Sequence, residues 1–187
     1  MAPRVVVAED EAIIRLDLKE MLEEEGFEVV GEAADGEAAI RLAGEQKPDL
    51  IIMDVKMPGM DGLAAAERIR DDNLGAVLIL TAFSQKDLVQ RAAEAGAMAY
   101  LVKPFQKSDL MPAIDIALAR YAQLQTLKGE TQSLEEQLET RKVVDRAKGR
   151  LIDEQGMSEA DAFRHIQKKA MDQRRPMKEV AQEILGG

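Results

Sequence analysis

The first 120 residues alternate short apolar runs with stretches of helical periodicity. The runs are rich in β-branched and aliphatic residues, as in Val5-Val6-Val7. They predict five strands, at residues 4–8, 27–33, 49–53, 76–81 and 97–102. Strands that are apolar on both faces are typical of a parallel sheet covered by helices on both sides. We therefore expect an α/β domain with a five-stranded, doubly wound parallel sheet.

Helical spacing of apolar positions separates these strands. Four predicted helices cover residues 13–25, with Gly26 as a C-cap, and residues 37–43, 63–70 and 86–94. A fifth begins near residue 108 and has no stop signal near residue 120. Its 3,4 spacing of apolar positions continues through Leu124, Leu127, Thr131, Leu134 and Leu138.

This stripe predicts a helical connector at residues 121–140, although Gly129 weakens the pattern. A stripe of only two heptads does not determine what it packs against. The stripe could pack against its own chain, or it could form a coiled coil with a second copy and make a homodimer. Both interpretations remain open at this point.

Three further helical patterns predict a small three-helix bundle at residues 141–187. The first ends at Gly156, the second begins after the N-cap Ser158, and the third has Pro176 in its first turn. We expect Ala147 and Gly149 to allow close helix packing, with a close approach of RNA as the alternative. We expect the core to include Val143, Val144, Ala147, Leu151, Ala162, Phe163, Ile166, Ala170, Met177, Val180, Ala181, Ile184 and Leu185.

Composition narrows the class of protein. The 187 residues include no Cys, which excludes disulfides and Cys-based metal sites. No apolar run is long enough to span a membrane, and acids follow the first apolar run where an export signal would continue. We therefore expect a cytoplasmic protein with no membrane partner.

The net charge of −10 is unevenly distributed. Residues 1–120 hold 23 acidic and 13 basic residues, whereas residues 121–187 hold 12 of each. Within that balanced tail, bases concentrate at residues 141–150 and 164–178. An acidic module followed by a locally basic one indicates that the two modules have different functions and that the tail binds an anionic partner.

Polar residues follow four of the predicted strands, at the sheet edge where open α/β domains bind ligands. They are Glu9 and Asp10, Asp54, Thr81, and Lys103. Clustered carboxylates repel unless a cation lies among them, and Mg²⁺ prefers oxygen ligands. The pattern therefore predicts a Mg²⁺ site at which Asp54 is phosphorylated and Lys103 neutralises the phosphoryl oxygens.

The motifs at these strand ends resemble the receiver domain of two-component response regulators, over residues 4–120. They are AEDE at 8–11, MDVKMPGMDG at 53–62, TAF at 81–83 and YLVKPF at 100–105. The resemblance implies a flavodoxin-like fold and transfer of a phosphoryl group from a sensor histidine kinase to Asp54. It also implies Mg²⁺ ligation by Asp10, Asp54 and the backbone carbonyl of Lys56. Glu9, at a position where the family more often has Asp, would assist through water.

The same resemblance implies that Thr81 and Tyr100 form a switch pair. In this family the hydroxyl moves toward the phosphoryl group and the aromatic ring turns inward, which shifts a two-state equilibrium. Such a domain reacts only on itself, so we do not expect an enzyme.

The tail resembles the ANTAR domain, an RNA-binding output module of transcription antiterminators. The resemblance rests on RKVVDRAKGRLIDEQGMSEADAFRHIQKKAM at 141–171 and PMKEVAQEIL at 176–185. Basic side chains supply the salt-dependent attraction that a phosphate backbone requires. We expect RNA contacts from Lys142, Arg146, Lys148 and Arg150, and secondarily from Arg164, His165, Lys168 and Lys169.

Taken together, the chain resembles actinobacterial response regulators that join a receiver to an ANTAR domain. That resemblance implies phosphorylation-controlled binding of an RNA hairpin in a nascent transcript, leading to antitermination. Two alternatives remain: a tail that binds DNA through a helix-turn-helix, or one that binds only protein. The DNA alternative is weakened because the last predicted helix has a single base, Lys178.

Overall fold

The computed structural model describes residues 2–82 and 86–186, in two compact units, Met1–Leu124 and Gln125–Gly187. Phe83, the last residue of the TAF motif, lies outside the described residues. The domain boundaries expected at residues 120 and 140 stay predictions.

The first unit contains a five-stranded parallel sheet in the order β2-β1-β3-β4-β5, as predicted. Each strand lies within two residues of its predicted position. The strands are β1 (Arg4–Ala8), β2 (Glu28–Ala33), β3 (Leu50–Asp54), β4 (Ala76–Thr81) and β5 (Ala99–Val102).

Helices alternate with these strands. They are α1 (Ala12–Glu24), α2 (Gly36–Gln46), α3 (Gly62–Asp71), α4 (Lys86–Glu94) and α5 (Lys107–Gln155). Side-chain caps set two of the helix starts: Asp35 accepts a hydrogen bond from the Ala38 amide, and Asp61 accepts one from the Ala64 amide.

The strands are apolar throughout because the sheet has a core on each face. Val6, Ile51 and Ile79 point into a core with α2, α3 and α4. Their neighbours in the sequence, such as Ile52 and Leu80, point into a second core with α1 and the first turns of α5. Alternate residues of a strand face opposite sides, so both sets must be apolar. The sheet is therefore doubly wound, as expected.

Helix α5 differs from the prediction in one respect. The expected connector and the expected first helix of the bundle are not separate elements, because α5 runs unbroken from Lys107 to Gln155 and includes Gly129. No turn signal interrupts the helical spacing between residues 120 and 155, which explains the continuity. The stripe residues Leu127, Leu134 and Leu138 are exposed.

In the second unit, the C-terminal part of α5 packs with α6 (Glu159–Gln173) and α7 (Met177–Gly186). Ser158 caps α6 by accepting a hydrogen bond from the Asp161 amide. The expected three-helix bundle is thus present. Its buried core consists of Val144, Ala147, Leu151, Ala162, Ile166, Ala170, Val180 and Ala181.

Two expectations about this bundle are wrong. Phe163 is not a core residue but is 42% exposed, because the adjacent Ala162 faces the core and successive helical residues lie about 100° apart. Gly149 does not mediate close packing, since a Cβ atom there would meet nothing within 4 Å among the described atoms. Ala147, by contrast, is fully buried, as expected of a packing residue.

Candidate phosphorylation site and nucleic-acid interface

The carboxyl ends of the parallel strands bring the predicted acidic residues together. Glu9 and Asp10 follow β1, and Asp54 ends the neighbouring strand β3. Each of the three offers a carboxylate oxygen that lies within 4.8 Å of the others. Glu9 and Asp54 are buried, whereas Asp10 is exposed. The structure therefore forms the acidic cluster that the motif spacing predicts.

Lys103 supplies the positive charge for this cluster. Its Nζ atom lies 2.5 Å from Glu9 Oε2 and 2.8 Å from Asp54 Oδ1. The end of β5 holds Lys103 in place, because the Lys103 amide donates a hydrogen bond of 2.7 Å to the Thr81 carbonyl. One ammonium thus bridges two buried carboxylates from different strands.

Burial and neighbouring charges shift the pKa values of Glu9 and Lys103. Burial raises the pKa of Glu9 above its ordinary value, and the negative charge of Asp54 adds to the effect, while the hydrogen bond from Lys103 opposes it. Burial alone would lower the pKa of Lys103, but the hydrogen bonds to Asp54 and Glu9 outweigh it and hold that pKa above its ordinary value. Lys103 therefore stays charged at neutral pH.

The loop after β3 fixes the orientation of Asp54. The Lys56 amide donates a hydrogen bond of 2.9 Å to Asp54 Oδ2, and the Gly62 amide donates one to the Val55 carbonyl. A Cβ atom at residue 62 would lie 2.0 Å from the Asp54 carbonyl oxygen. Only glycine fits this close approach of α3 to the end of β3, so the start of α3 packs directly against the backbone of Asp54.

A cleft of about 380 Å³ opens beside Asp54, lined also by Thr81 and Lys103. The sequence prediction missed two arginines near this site. Arg91 of α4 lines the cleft, and Arg15 of α1 donates a hydrogen bond of 2.5 Å to the Glu9 carbonyl. Both lie on helices, so reasoning from strand ends could not find them. The sequence feature that could have pointed to Arg15 is its position one helical turn after Glu11. No local sequence feature points to Arg91.

The donor set of the acidic cluster fits a hard divalent cation. Carboxylate oxygens are the ligands that Mg²⁺ prefers, and it keeps several waters, which suits the exposed Asp10 at the mouth of the cluster. The cluster is therefore compatible with Mg²⁺ binding.

The two predicted switch residues lie on adjacent strands with opposite exposure. Thr81 ends β4 and is buried, and it lines the cleft beside Asp54. Tyr100 lies on β5 with its side chain 46% exposed. Thr81 thus lines the same cleft as Asp54, and the Tyr100 side chain is at the surface.

In the second unit, three of the predicted RNA-binding cations are held in contacts between helices. Lys148 is only 15% exposed and pairs with Glu159 of α6 at 2.9 Å and with Asp145 at 2.8 Å. Arg150 donates a hydrogen bond to the Leu185 carbonyl of α7. Lys169 of α6 pairs with Glu183 of α7. These side chains join the three helices to one another.

The remaining predicted cations project from the bundle without joining its helices. Lys142 pairs with Glu139 within α5, and Arg164 pairs with Asp161 within α6. His165 is exposed, as are Arg146 and Lys168, which make no ion pair with any residue in the described parts of the chain. Lys142 and Arg146 lie one turn apart on the face of α5 opposite its buried residues.

Across the described residues, no helix combines the length and hydropathy that a membrane crossing requires.

Comparison with known proteins identifies both modules. Residues 5–115 match the response regulator receiver domain, and residues 132–185 match the ANTAR domain. The transcriptional regulatory protein PdtaR of Mycobacterium tuberculosis is 58% identical to the chain over 182 residues, which cover 97% of this chain and 89% of PdtaR. Both resemblances inferred from the sequence are confirmed.

Solved structures match the first unit. The chemotaxis protein CheY4 of Vibrio cholerae has a TM-score of 0.59 and 30% identity, covering 63% of this chain and 99% of CheY4. The CheX–CheY–BeF₃–Mg²⁺ complex of Borrelia burgdorferi contains a chain with a TM-score of 0.56 and 25% identity, covering 59% of this chain and 85% of that one.

The two matched domains and the 58% identity to one regulator over 97% of the chain lead to the same conclusion. The chain belongs to the family of two-component response regulators that join a receiver domain to an ANTAR domain, it is similar to PdtaR over most of its length, and it is a phosphorylation-dependent transcriptional regulator.

Proposed function

We propose that this chain accepts a phosphoryl group on Asp54 from a sensor histidine kinase and, in response, binds an RNA hairpin in a nascent transcript to cause antitermination in the cytoplasm. The observation that carries the proposal is the coexistence of two features in one chain. One is a buried acceptor carboxylate bridged to a lysine, and the other is an ANTAR match over the bundle that bears exposed cations.

The transfer step follows from the position of Asp54. An Asp54 carboxylate oxygen attacks the phosphorus of the phosphohistidine, so that a P–O bond forms while the P–N bond breaks. The bonding pair returns to the imidazole nitrogen of the kinase, which then takes up a proton. Lys103, already 2.8 Å from Asp54 Oδ1, neutralises charge on the phosphoryl oxygens.

Asp10, Asp54 and the backbone carbonyl of Lys56 would hold Mg²⁺, with Glu9 assisting through water. When bound, Mg²⁺ neutralises negative charge on the transferring group. The similar CheY of Borrelia burgdorferi forms a complex with BeF₃ and Mg²⁺, which supports the same ligand pair for this receiver.

Thr81 and Tyr100 carry the signal from the phosphoryl group. The Thr81 hydroxyl lies in the cleft beside Asp54 and is in position to bind a phosphoryl oxygen. Movement of Thr81 would vacate space toward which the Tyr100 ring turns, burying a side chain that is exposed in this structure. Phosphorylation would thereby shift the population toward a second state.

RNA contacts come first from Lys142, Arg146 and Lys168, whose charges are not held between helices. Arg164 and His165 are also exposed, on α6. Lys148, Arg150 and Lys169 contribute mainly by fixing the bundle that presents the others. Exposed cations of this kind attract the phosphate backbone and make affinity fall with salt.

The exposed stripe of Leu127, Leu134 and Leu138 pairs with its counterpart in a second copy, forming a homodimer through the connector. Changing Leu134 and Leu138 together to Lys should therefore leave the chain monomeric by sedimentation in beryllofluoride and Mg²⁺, where the parent chain is dimeric. A parent chain that is monomeric both with and without beryllofluoride and Mg²⁺ contradicts this part of the proposal.

The experiment for RNA binding is a selection from a pool of RNA hairpins with randomised loops, followed by salt titration of the enriched hairpin and of duplex DNA. We expect preferential binding of the hairpin, weakening steeply with salt. Equal binding to the DNA duplex favours a DNA-binding tail. No binding to either, by a chain that reacts normally with phosphodonor, favours a tail that binds protein.

A further inference from the structure

One aromatic side chain of the second unit remains outside its core. Phe163 is the sole Phe, Tyr or Trp among residues 125–187, and it is 42% exposed on α6. The core beneath it is filled by smaller residues such as Ala162 and Ile166. An aromatic ring gains by being covered, so Phe163 offers a ligand the one Phe, Tyr or Trp ring of this segment.

Phe163 lines a groove of about 610 Å³ within the second unit. This volume is within the range of roughly 300–1,000 Å³ that is usual for small-molecule sites. The apolar wall of the groove consists of Phe163 with Val144 and Met177. A polar wall, formed by other residues of α5, includes Gln137, Thr140 and the carboxylates of Glu136 and Asp145, and Arg141 also lines the groove with its side chain 83% exposed.

This combination of walls restricts the occupant. A partner helix would require a row of apolar contacts along α5, but Val144 is the sole apolar residue of α5 among those that line the groove, and the others present hydroxyl, amide and charged groups. An unpaired nucleobase matches both walls, because its face stacks on an aromatic ring and its edge exchanges hydrogen bonds with amide and hydroxyl groups. The guanidinium of Arg141 suits the phosphate of the same nucleotide.

We propose that the Phe163 groove binds one unpaired base of the RNA hairpin loop, stacked on Phe163 and read at its edge by Gln137 and Thr140. This inference rests on the proposed RNA-binding function and adds to it the recognition of a single loop base. The cations of the bundle supply affinity for the backbone, and the groove supplies preference for a loop over a paired stem.

The test uses the full-length chain and the hairpin enriched from the randomised pool, with 2-aminopurine placed at each loop position in turn. Stacking quenches the fluorescence of this base analogue. We expect quenching at one loop position with the parent chain and with Phe163→Trp, but not with Phe163→Leu. Phe163→Leu should also weaken hairpin binding about tenfold, as loss of one base–aromatic stack does.

Two further variants separate recognition from folding. Met171→Ala removes an exposed apolar side chain from α6 outside the groove and should leave affinity unchanged. Gln137→Ala should keep the thermal unfolding temperature and reduce discrimination at the quenched position. Unchanged affinity and quenching in Phe163→Leu, with normal binding by the parent chain, overturn the groove while leaving RNA binding intact. If no hairpin is enriched, RNA binding and the groove fail together.

Discussion

At the scale of single residues, the chemistry of the receiver depends on one buried charge arrangement. Glu9 and Asp54 are two carboxylates that would repel each other, and the Lys103 ammonium lies within 2.8 Å of both. Removing one partner from a buried arrangement leaves uncompensated charge, which costs far more than breaking an exposed ion pair. Lys103 therefore has a structural role before any phosphoryl group arrives.

Replacing Lys103 with Met should destabilise the chain by about 3 kcal/mol, since two buried carboxylates lose their counter-charge. Urea denaturation measures this loss, and added Mg²⁺ should recover part of it by binding the same carboxylates in the folded state. Lys107→Met is the matched control and should cost much less than Lys103→Met, because that lysine forms its ion pairs with the exposed Glu24 and Glu25. Equal losses for the two variants contradict the assignment.

Gly62 has no reactive side chain, but its close contact with the end of β3 positions Asp54, the proposed acceptor. Gly62→Ala should lower stability by at least about 2 kcal/mol and slow phosphorylation, because a methyl group would lie 2.0 Å from the Asp54 carbonyl oxygen. Gly129→Ala is the control in open space and should raise stability by about 0.5–1 kcal/mol as helix propensity predicts. Thermal unfolding and labelling from acetyl phosphate measure the two effects. A stable, normally labelled Gly62→Ala chain contradicts the tight loop.

At the scale of elements, helix α5 contributes to both modules. Its first turns complete a core of the sheet through Leu110, Ile114 and Ala117, and its last turns form the first helix of the bundle. The bundle itself depends on ionic and polar ties between helices as well as on its small apolar core. Cations in this unit therefore divide into those that hold the helices together and those that face outward.

This division predicts different outcomes for two neighbouring cations of α5. Arg146→Ala should weaken hairpin binding and flatten its salt slope, with no change in thermal unfolding, because Arg146 is exposed and has no ion pair among the described residues. Lys148→Ala should lower the unfolding temperature, since it removes the contact between α5 and Glu159 of α6. If Lys148→Ala changes the salt slope of hairpin binding more than Arg146→Ala does, Arg146 is wrongly assigned to the cations that contact RNA.

The sequence predicts the elements well where periodicity is unambiguous. Runs such as Leu50-Ile51-Ile52-Met53 must face a core on both sides, and motif spacing places Asp54 and Lys103 at strand ends on one edge of the sheet. Periodicity does not resolve which of two neighbouring apolar residues faces the core, so the prediction for Phe163, beside Ala162, is wrong. It also cannot show which bases form ion pairs, because Glu159, a partner of Lys148, is eleven residues away on another helix.

At the scale of the whole molecule, the chain joins an acidic receiver to a bundle with local clusters of basic residues. A response regulator requires that the state of the first module change the affinity of the second. In the proposed function, that coupling is a free energy linking the phosphoryl group on Asp54 to RNA on the bundle, and it must act in both directions. Typical couplings of about 1–3 kcal/mol correspond to changes in affinity of roughly 5–150-fold.

The measurement that tests this claim most directly is the affinity for the selected hairpin with and without beryllofluoride and Mg²⁺, in the parent chain and in Asp54→Asn. We predict that beryllofluoride tightens binding by the parent chain at least about fivefold. Asp54→Asn should bind the hairpin with the affinity of the parent chain without beryllofluoride, whether or not beryllofluoride and Mg²⁺ are present. Its unfolding temperature should be preserved. Equal hairpin affinity in all four measurements would contradict the account, because RNA binding would then be independent of the phosphorylation site.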